Sequence, residues 1–332
     1  MSPWTVDPPL SASARRWRRS RAAGAVVAIV LVSVTLWLAR PSAVWQLVIG
    51  VRPGPLAGAA AAALLATLCR GLRLALLLPT GRLTVGPAVA VAAAAQAAAT
   101  FVPARIGELA LPALLRRRTG HDFAAGIGTL LAARTLDVAA LGAWLVASLA
   151  ALAGSTGPYA VLAVVLLLLP PLLLPATMAA VDRLTTRCLA PRGLRPRRWA
   201  RRMRRVRHEI DRVATRPGRL VAAFAASLAT WAALWTLAWL LLEAMGHRWP
   251  WWTVAAGSAI ASGSSLFPVN AVGNLGTLEA GWTAAFVLLG IPLDVAAATG
   301  LACHLWSLVF IAVYGAAGWA MVSSGQRVHA ER

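Results

Sequence analysis

Ionisable side chains lie between strongly apolar segments in residues 100–137 of the chain. These side chains are Arg105, Glu108, Arg134 and Asp137. Charged groups are costly in the hydrocarbon layer of a membrane, so residues of this kind are functional-site candidates wherever they occur there. A guanidinium group can bind phosphate through two parallel hydrogen bonds, and a carboxylate can hold the guanidinium, accept an amine or exchange a proton. The stretch therefore predicts an anion-binding site.

Residues 266–279 share an order of residue types with the first stretch. In both, an aromatic residue is followed by a proline, then by glycine, and then by a glutamate that begins an apolar run. Backbone N–H groups at the glycines of both stretches are suited to an anion nest. His304 follows Glu279 after 25 residues, much as Arg134 follows Glu108 after 26 residues. A packing role is the alternative for His304. The predicted binding residues are Pro103, Arg105, Gly107, Glu108, Arg134, Asp137, Pro268, Asn270, Gly273, Gly276, Glu279 and His304.

A purely structural role is the alternative for these charges. Arg105 and Glu108 are three residues apart, as are Arg134 and Asp137, so each pair can neutralise itself on one helix. A carboxylate such as Glu279 is also favoured near a helix N-terminus, whatever its function. Burying four charges nevertheless costs several kcal/mol each, and apolar residues would pack as well. We therefore favour a functional site.

The composition is that of a polytopic membrane protein. Hydrophobic residues make up 59% of the 332 residues, charged residues make up 13%, and the mean hydropathy is +0.70. A soluble domain of this length would not bury so many apolar runs. The net charge of +21 arises from arginine alone, so only the placement of the arginines is informative. The cysteines Cys69, Cys188 and Cys303 are widely spaced, which predicts neither a disulfide framework nor a metal site, and no cofactor is expected.

The apolar runs predict an all-α bundle of about six transmembrane helices and two re-entrant hairpins. The hairpins cover residues 84–115 and 253–289, and each is interrupted near its centre by proline and glycine. The limb at 106–115 reaches about 15 Å as a helix, half of a hydrocarbon core of about 30 Å. The predicted crossings are 22–39, 56–78, 123–151, 159–181, 220–245 and 294–322.

The arginine distribution sets the predicted topology, because positively charged loops stay in the cytoplasm. The basic N-terminus at 1–21, the arginine-rich loop at 182–219 and the tail at 323–332 are expected in the cytoplasm of a cell-membrane protein. The run at 22–39 is expected to be a retained anchor, with a signal peptide as the alternative. The first half, 22–152, then runs opposite to the second, 158–322, which predicts an inverted repeat.

Within the arginine-rich loop, apolar residues at helical spacing predict a basic amphipathic helix at 199–213 on an anionic membrane surface. Nucleic-acid binding is the alternative for such an arginine run. We set it aside, because arginines next to a membrane attract anionic lipid without further help. The expected partners are therefore anionic lipid headgroups.

Several motifs resemble the lysylphosphatidylglycerol synthase transmembrane region, a family also called flippase-like. They are PARIGE at 103–108, the arginines at 116–118, ARTLD at 133–137, and the loop at 268–279 with Gly290 and Ile291 after it. The resemblance implies an integral membrane protein like the lipid-flipping half of the multiple peptide resistance factor. In that protein a separate soluble domain adds the amino acid to the lipid, and no such domain precedes Arg332. We therefore expect transport and no enzyme activity. His304 stands where arginine is common in the family.

The expected function is binding or translocation of an anionic phospholipid or a polyprenyl-phosphate-type lipid at a site near the membrane midplane. An intramembrane enzyme acting on a lipid phosphate is one alternative. The histidine and arginine set of a phosphatase and the paired aspartates of a magnesium site are both missing from the predicted spans. A membrane assembly subunit without transport activity is the other alternative.

Overall fold

A computed structural model describes residues 40–79, 82–102, 106–120, 122–154, 215–264 and 275–330, together with the single positions 33, 206, 208 and 212. These ranges are mainly helical and contain no β-strand. The predicted crossings at 22–39, apart from position 33, and at 159–181 lie outside the described residues. So do residues 103–105 and 268–274 of the hairpin breakpoints and most of the loop at 182–219.

The described ranges form nine α-helices. Proline begins three of them, where its missing N–H is not needed and its fixed φ suits the first turn. Gly120 and Gly154 end two others with φ of 64° and 62°, a left-handed conformation that glycine adopts without strain. The helices are α1 Pro41–Ile49, α2 Pro53–Leu77, α3 Val85–Phe101, α4 Ala110–Thr119, α5 Phe123–Ala153, α6 Pro217–Ala244, α7 Trp251–Ser264, α8 Thr277–Leu288 and α9 Leu293–Ala330.

Four of the described helices, α2, α5, α6 and α9, are long and apolar enough to cross a membrane. Helix α3 has 17 residues and is about 25 Å long, while α7 and α8 are shorter. Helix α4 follows a 3-10 turn at Ile106–Leu109. The predicted all-helical membrane architecture is confirmed, with α3 to α4 and α7 to α8 as the two segments of short helices. Helix α1 was not predicted.

Helices α2 and α6 pack against each other in opposite directions. The backbone N–H of Arg52, before α2, donates to the carbonyl oxygen of Ala244 at the end of α6 (2.9 Å). Reciprocally, the Arg219 side chain at the start of α6 donates to the carbonyl oxygens of Ala75 and Leu78 at the end of α2 (3.0 and 2.9 Å). Donors at the start of each helix thus cap the last carbonyl groups of the other helix.

Helix α3 lies between α2 and α9 and is held there by glycines on both neighbours. A Cβ on Gly71 of α2 would lie 2.5 Å from the Cα of Val89, and one on Gly318 of α9 would lie 2.7 Å from the carbonyl oxygen of Ala90. Small residues of this kind let helix backbones approach closely in membranes, where packing is the main source of association. The alanine-rich sequence of α3 serves the same end.

The remaining contacts complete the bundle. Helix α7 packs on α5 and α6, α4 packs on α5, and α8 packs on α9. Helix α1 covers α9, where Val44 is buried beside Ala298 and Leu301. Val206, in the predicted helix at 199–213, is buried against the bundle beside Leu77. At this residue the apolar face of the predicted amphipathic helix therefore packs on protein.

Candidate functional site

Two carboxylates lie at the starts of short helical segments. Glu108 lies in the 3-10 turn before α4, and Glu279 lies in the first turn of α8. A glycine precedes each of them and lets the turn form. A Cβ on Gly107 would lie 2.6 Å from the carbonyl carbon of Ala98 in α3, and Gly276 has a φ of 93°. The backbone N–H of Gly276 also donates to Glu279 Oε2 (2.7 Å).

Arg134 of α5 lies between two carboxylates. Its Nη2 is 3.4 Å from Glu108 Oε2, and its Nη1 is 3.8 Å from Asp137 Oδ2. The Arg134 side chain is 50% exposed, so the guanidinium is held on one side and open on the other. The predicted proximity of Arg134 and Asp137 is confirmed, and Glu108 joins them from the returning segment.

Asp137 has a second and closer partner, Arg73 of α2. Arg73 also donates to the hydroxyl oxygen of Ser227 in α6 (3.0 Å), and its side chain is only 9% exposed. The sequence pattern did not mark Arg73, which lies near the end of a span, where arginines usually extend to the interface. In the structure Arg73 is buried instead, because α5 and α6 pack against α2 at this level and supply a carboxylate and a hydroxyl. The available signal was Asp137, whose buried charge needs a partner on another helix.

His304 of α9 and Glu279 form the second ionisable pair, with His304 Nδ1 2.6 Å from Glu279 Oε1. Both side chains are buried, at 6% and 1% exposure. The two pairs have similar positions in the chain. Glu108 contacts Arg134 and Glu279 contacts His304, each pair joining the start of a short helix to the following long helix.

A family model described as the lysylphosphatidylglycerol synthase TM region matches residues 21–315. The chain belongs to this family. The resemblance seen in the sequence motifs is thus confirmed, and both ionisable groups fall inside the matched region. No curated protein matches the chain.

Five predicted site residues lie outside the described residues, namely Pro103, Arg105, Pro268, Asn270 and Gly273. The predicted Arg105–Glu108 pair therefore stays a prediction. In the part of the chain that the structure describes, no hydrogen bond or ion pair joins the Arg134 group to the Glu279 group. The same part contains no cluster of three His, Cys, Asp or Glu side chains that could hold a metal ion.

Proposed function

We propose that this chain translocates an anionic phospholipid or a polyprenyl-phosphate-type lipid, and that Arg134 binds the lipid phosphate. The observation that carries the proposal is the half-exposed guanidinium of Arg134, oriented by Glu108 at 3.4 Å and Asp137 at 3.8 Å. A guanidinium fixed on one side keeps N–H donors for a bidentate contact with phosphate on the other. The carboxylates orient it and remain able to accept an amine or exchange a proton.

The contrast between Arg73 and Arg134 supports a binding role for Arg134. Arg73 and Asp137 bury each other, as expected of a structural ion pair. Arg134 leaves half of its side chain exposed although the same carboxylate is within reach. An arginine in a structural ion pair gains no stability from such exposure, whereas an arginine that binds a ligand must be accessible to it.

We further propose that the two halves form an inverted repeat in which α2, α3, α4 and α5 correspond to α6, α7, α8 and α9. The helix contacts support this correspondence, because α3 on α9 matches α7 on α5, and α4 on α5 matches α8 on α9. Helices α2 and α6, which pack against each other, both begin with Arg-Pro-Gly, at residues 52–54 and 216–218. The two glutamate pairs correspond in the same way.

In such a repeat the two ionisable groups face opposite sides of the membrane, as alternating access requires. The Arg134 group is open and the Glu279–His304 pair is closed. We propose that this conformation receives lipid on the Arg134 side, and that the opposite conformation opens the Glu279–His304 pair. Glu279 and His304 would then bind the headgroup on release or exchange a proton.

The test is lipid movement in liposomes that contain the purified full chain and fluorescent phosphatidylglycerol. We expect Arg134→Gln to lower the translocation rate at least tenfold with an unchanged unfolding temperature, because Arg134 is half exposed. The matched control is Arg117→Gln, which removes an equal charge from an exposed position at the end of α4. Wild-type transport by Arg134→Gln would contradict the proposed site.

The same liposomes separate the other functional classes. Lipids extracted after the assay should be chemically unchanged if the chain is a transporter. An altered headgroup would favour an intramembrane enzyme. Intact lipid that stays in its original leaflet would favour an assembly subunit.

A further inference from the structure

A cavity of about 80 Å³ lies between α2, α3, α6 and α9, apart from the Arg134 site. Its polar wall consists of Thr67 and Arg70 from α2, Gln96 from α3, and Ser307 and Tyr314 from α9. One water needs roughly 10–15 Å³ of such space, so the cavity has room for a larger polar group. The rest of the wall is apolar.

Arg70 carries the positive charge of this cavity and has no ion pair or hydrogen bond among the described residues. Asp137 acts on it electrostatically, but that carboxylate already contacts Arg73 and Arg134. The guanidinium groups of Arg73 and Arg134 act on Arg70 as well. Among the described residues, Arg70, Arg73 and Arg134 thus have two compensating carboxylates, Asp137 and Glu108, which leaves one positive charge in excess. A cation in an apolar bundle is costly unless an anion compensates it.

The hydroxyl groups in the cavity wall already donate hydrogen bonds within their helices or to a neighbouring helix. Thr67, Ser307 and Tyr314 donate to the backbone carbonyl oxygens of Ala63, Cys303 and Ala60 at 2.9, 2.8 and 2.8 Å. Their oxygens remain available only as acceptors. A complementary ligand therefore combines an anionic group for Arg70 with hydroxyl or amine donors for these oxygens.

The second half of the chain indicates that packing of α2 against α6 does not require an arginine at the position of Arg70. Counting from the proline that begins each helix, Arg70 is 17 residues after Pro53, and Leu234 is 17 residues after Pro217. Leu234 lines the same cavity from α6. Leucine thus satisfies the packing at the corresponding position, and Arg70 needs another explanation.

We infer that this cavity binds a phosphate-type anion through Arg70 and the hydroxyl or amine group next to that phosphate through Thr67, Ser307 and Tyr314. The inference rests on the proposed function for the choice of a lipid headgroup as the source, and on the proposed repeat for the comparison of Arg70 with Leu234. A free phosphate or small phosphoester offers the same anionic chemistry.

The experiment is calorimetric titration of the purified full chain in neutral detergent with dihexanoylphosphatidylglycerol. Dihexanoylglycerol, which has the same acyl chains without the phosphate, is the ligand control. We expect the phospholipid to bind and Arg70→Leu to weaken its binding at least tenfold. Arg117→Leu, which removes an exposed arginine, should bind as the wild type does.

A second variant covers the case in which Arg70→Leu does not fold. Thr67→Glu keeps Arg70 and places a carboxylate three residues before it, where the two side chains can pair on the helix. This variant should also lose phospholipid binding. Equal binding by the wild type and by a folded Arg70→Leu or Thr67→Glu variant would overturn the inference, as would equal binding of the lipid without phosphate.

Inorganic phosphate identifies the source of the anion. If phosphate displaces the phospholipid in the wild type, the cavity recognises the phosphate alone. If the phospholipid binds in an Arg70-dependent way and phosphate does not displace it, the lipid headgroup is the ligand. The Arg134→Gln variant, which alters the proposed transport site, should still bind the phospholipid through Arg70. Loss of this cavity and loss of the proposed transport site are therefore separate results.

Discussion

At the scale of single residues, Arg73 and Arg134 approach one carboxylate, that of Asp137, from two different helices. Arg73 is buried and also contacts Ser227 of α6, so it ties α2 to two neighbouring helices. Arg134 adds little to this connection because half of it is exposed. Stability and binding are therefore assigned to different arginines, which substitution can separate.

We predict that Arg73→Leu lowers the free energy of unfolding by about 3–5 kcal/mol, because it leaves the Asp137 charge buried without its closest partner. The double variant Arg73→Leu with Asp137→Leu should be much closer to wild type, since apolar residues can replace a buried ion pair at little cost. Thermal unfolding of the purified variants measures both effects. A double variant no more stable than Arg73→Leu would contradict the structural assignment.

The residue pattern predicted part of this site. The three-residue spacing of Arg134 and Asp137 correctly predicted that these two side chains lie close together. The contacts of Glu108 with Arg134 and of Glu279 with His304 were not predicted, although all four residues were named as site candidates. Arg73 was missed because its position on its own helix does not reveal which helix packs beside it. That information comes from packing between apolar faces, which hydropathy does not distinguish.

At the scale of elements, the 3-10 turn at Ile106–Leu109 depends on close backbone contact between Gly107 and α3. A Cβ there would lie 2.8 Å from the Cα of Ala99 and 2.6 Å from the carbonyl carbon of Ala98, and neither backbone atom can rotate away. The short segment would have to separate from α3. Glu108 would then move with it, away from Arg134.

Gly107→Ala should therefore cost about 1–3 kcal/mol, as overpacking of a close contact does. For a chain of 332 residues the expected fall in Tm is about 1–2 °C for each kcal/mol. Gly86→Ala is the matched control, because Gly86 is exposed in α3 and a Cβ there meets no atom within 4 Å. Equal Tm values for the two variants would show that the turn tolerates a side chain.

Hydropathy predicted the long helices and the short paired helices because apolar length is the property that a membrane selects. Helix α1 was missed, since its nine residues are too few to register as a span. The pairing of α2 with α6 was also beyond the hydropathy pattern, because hydropathy does not show which helices pack against each other.

At the scale of the whole molecule, the proposed inverted repeat makes a prediction about sidedness. With the native cysteines replaced, a cysteine at Arg117 should react with an impermeant thiol reagent only from the cytoplasm. A cysteine at Trp252 should react only from outside, and both positions are exposed. Labelling of intact and permeabilised cells measures this, and permeabilisation should make both sites reactive. Labelling of both from the same side in intact cells would rule out the inverted arrangement.

The contact between Arg73 and Ser227 also has a consequence for biogenesis. The two residues are 154 positions apart in the chain, and α6 follows α2 only after the whole first half has been made. At a synthesis rate of about 5–20 residues per second, Arg73 waits roughly 8–30 s for Ser227. During that interval α2 lacks its main packing partner, and its last carbonyl groups lack the Arg219 cap. Until the second half is made, the first half thus exposes in the membrane the face of α2 that α6 later covers. During that time it is exposed to quality-control proteases.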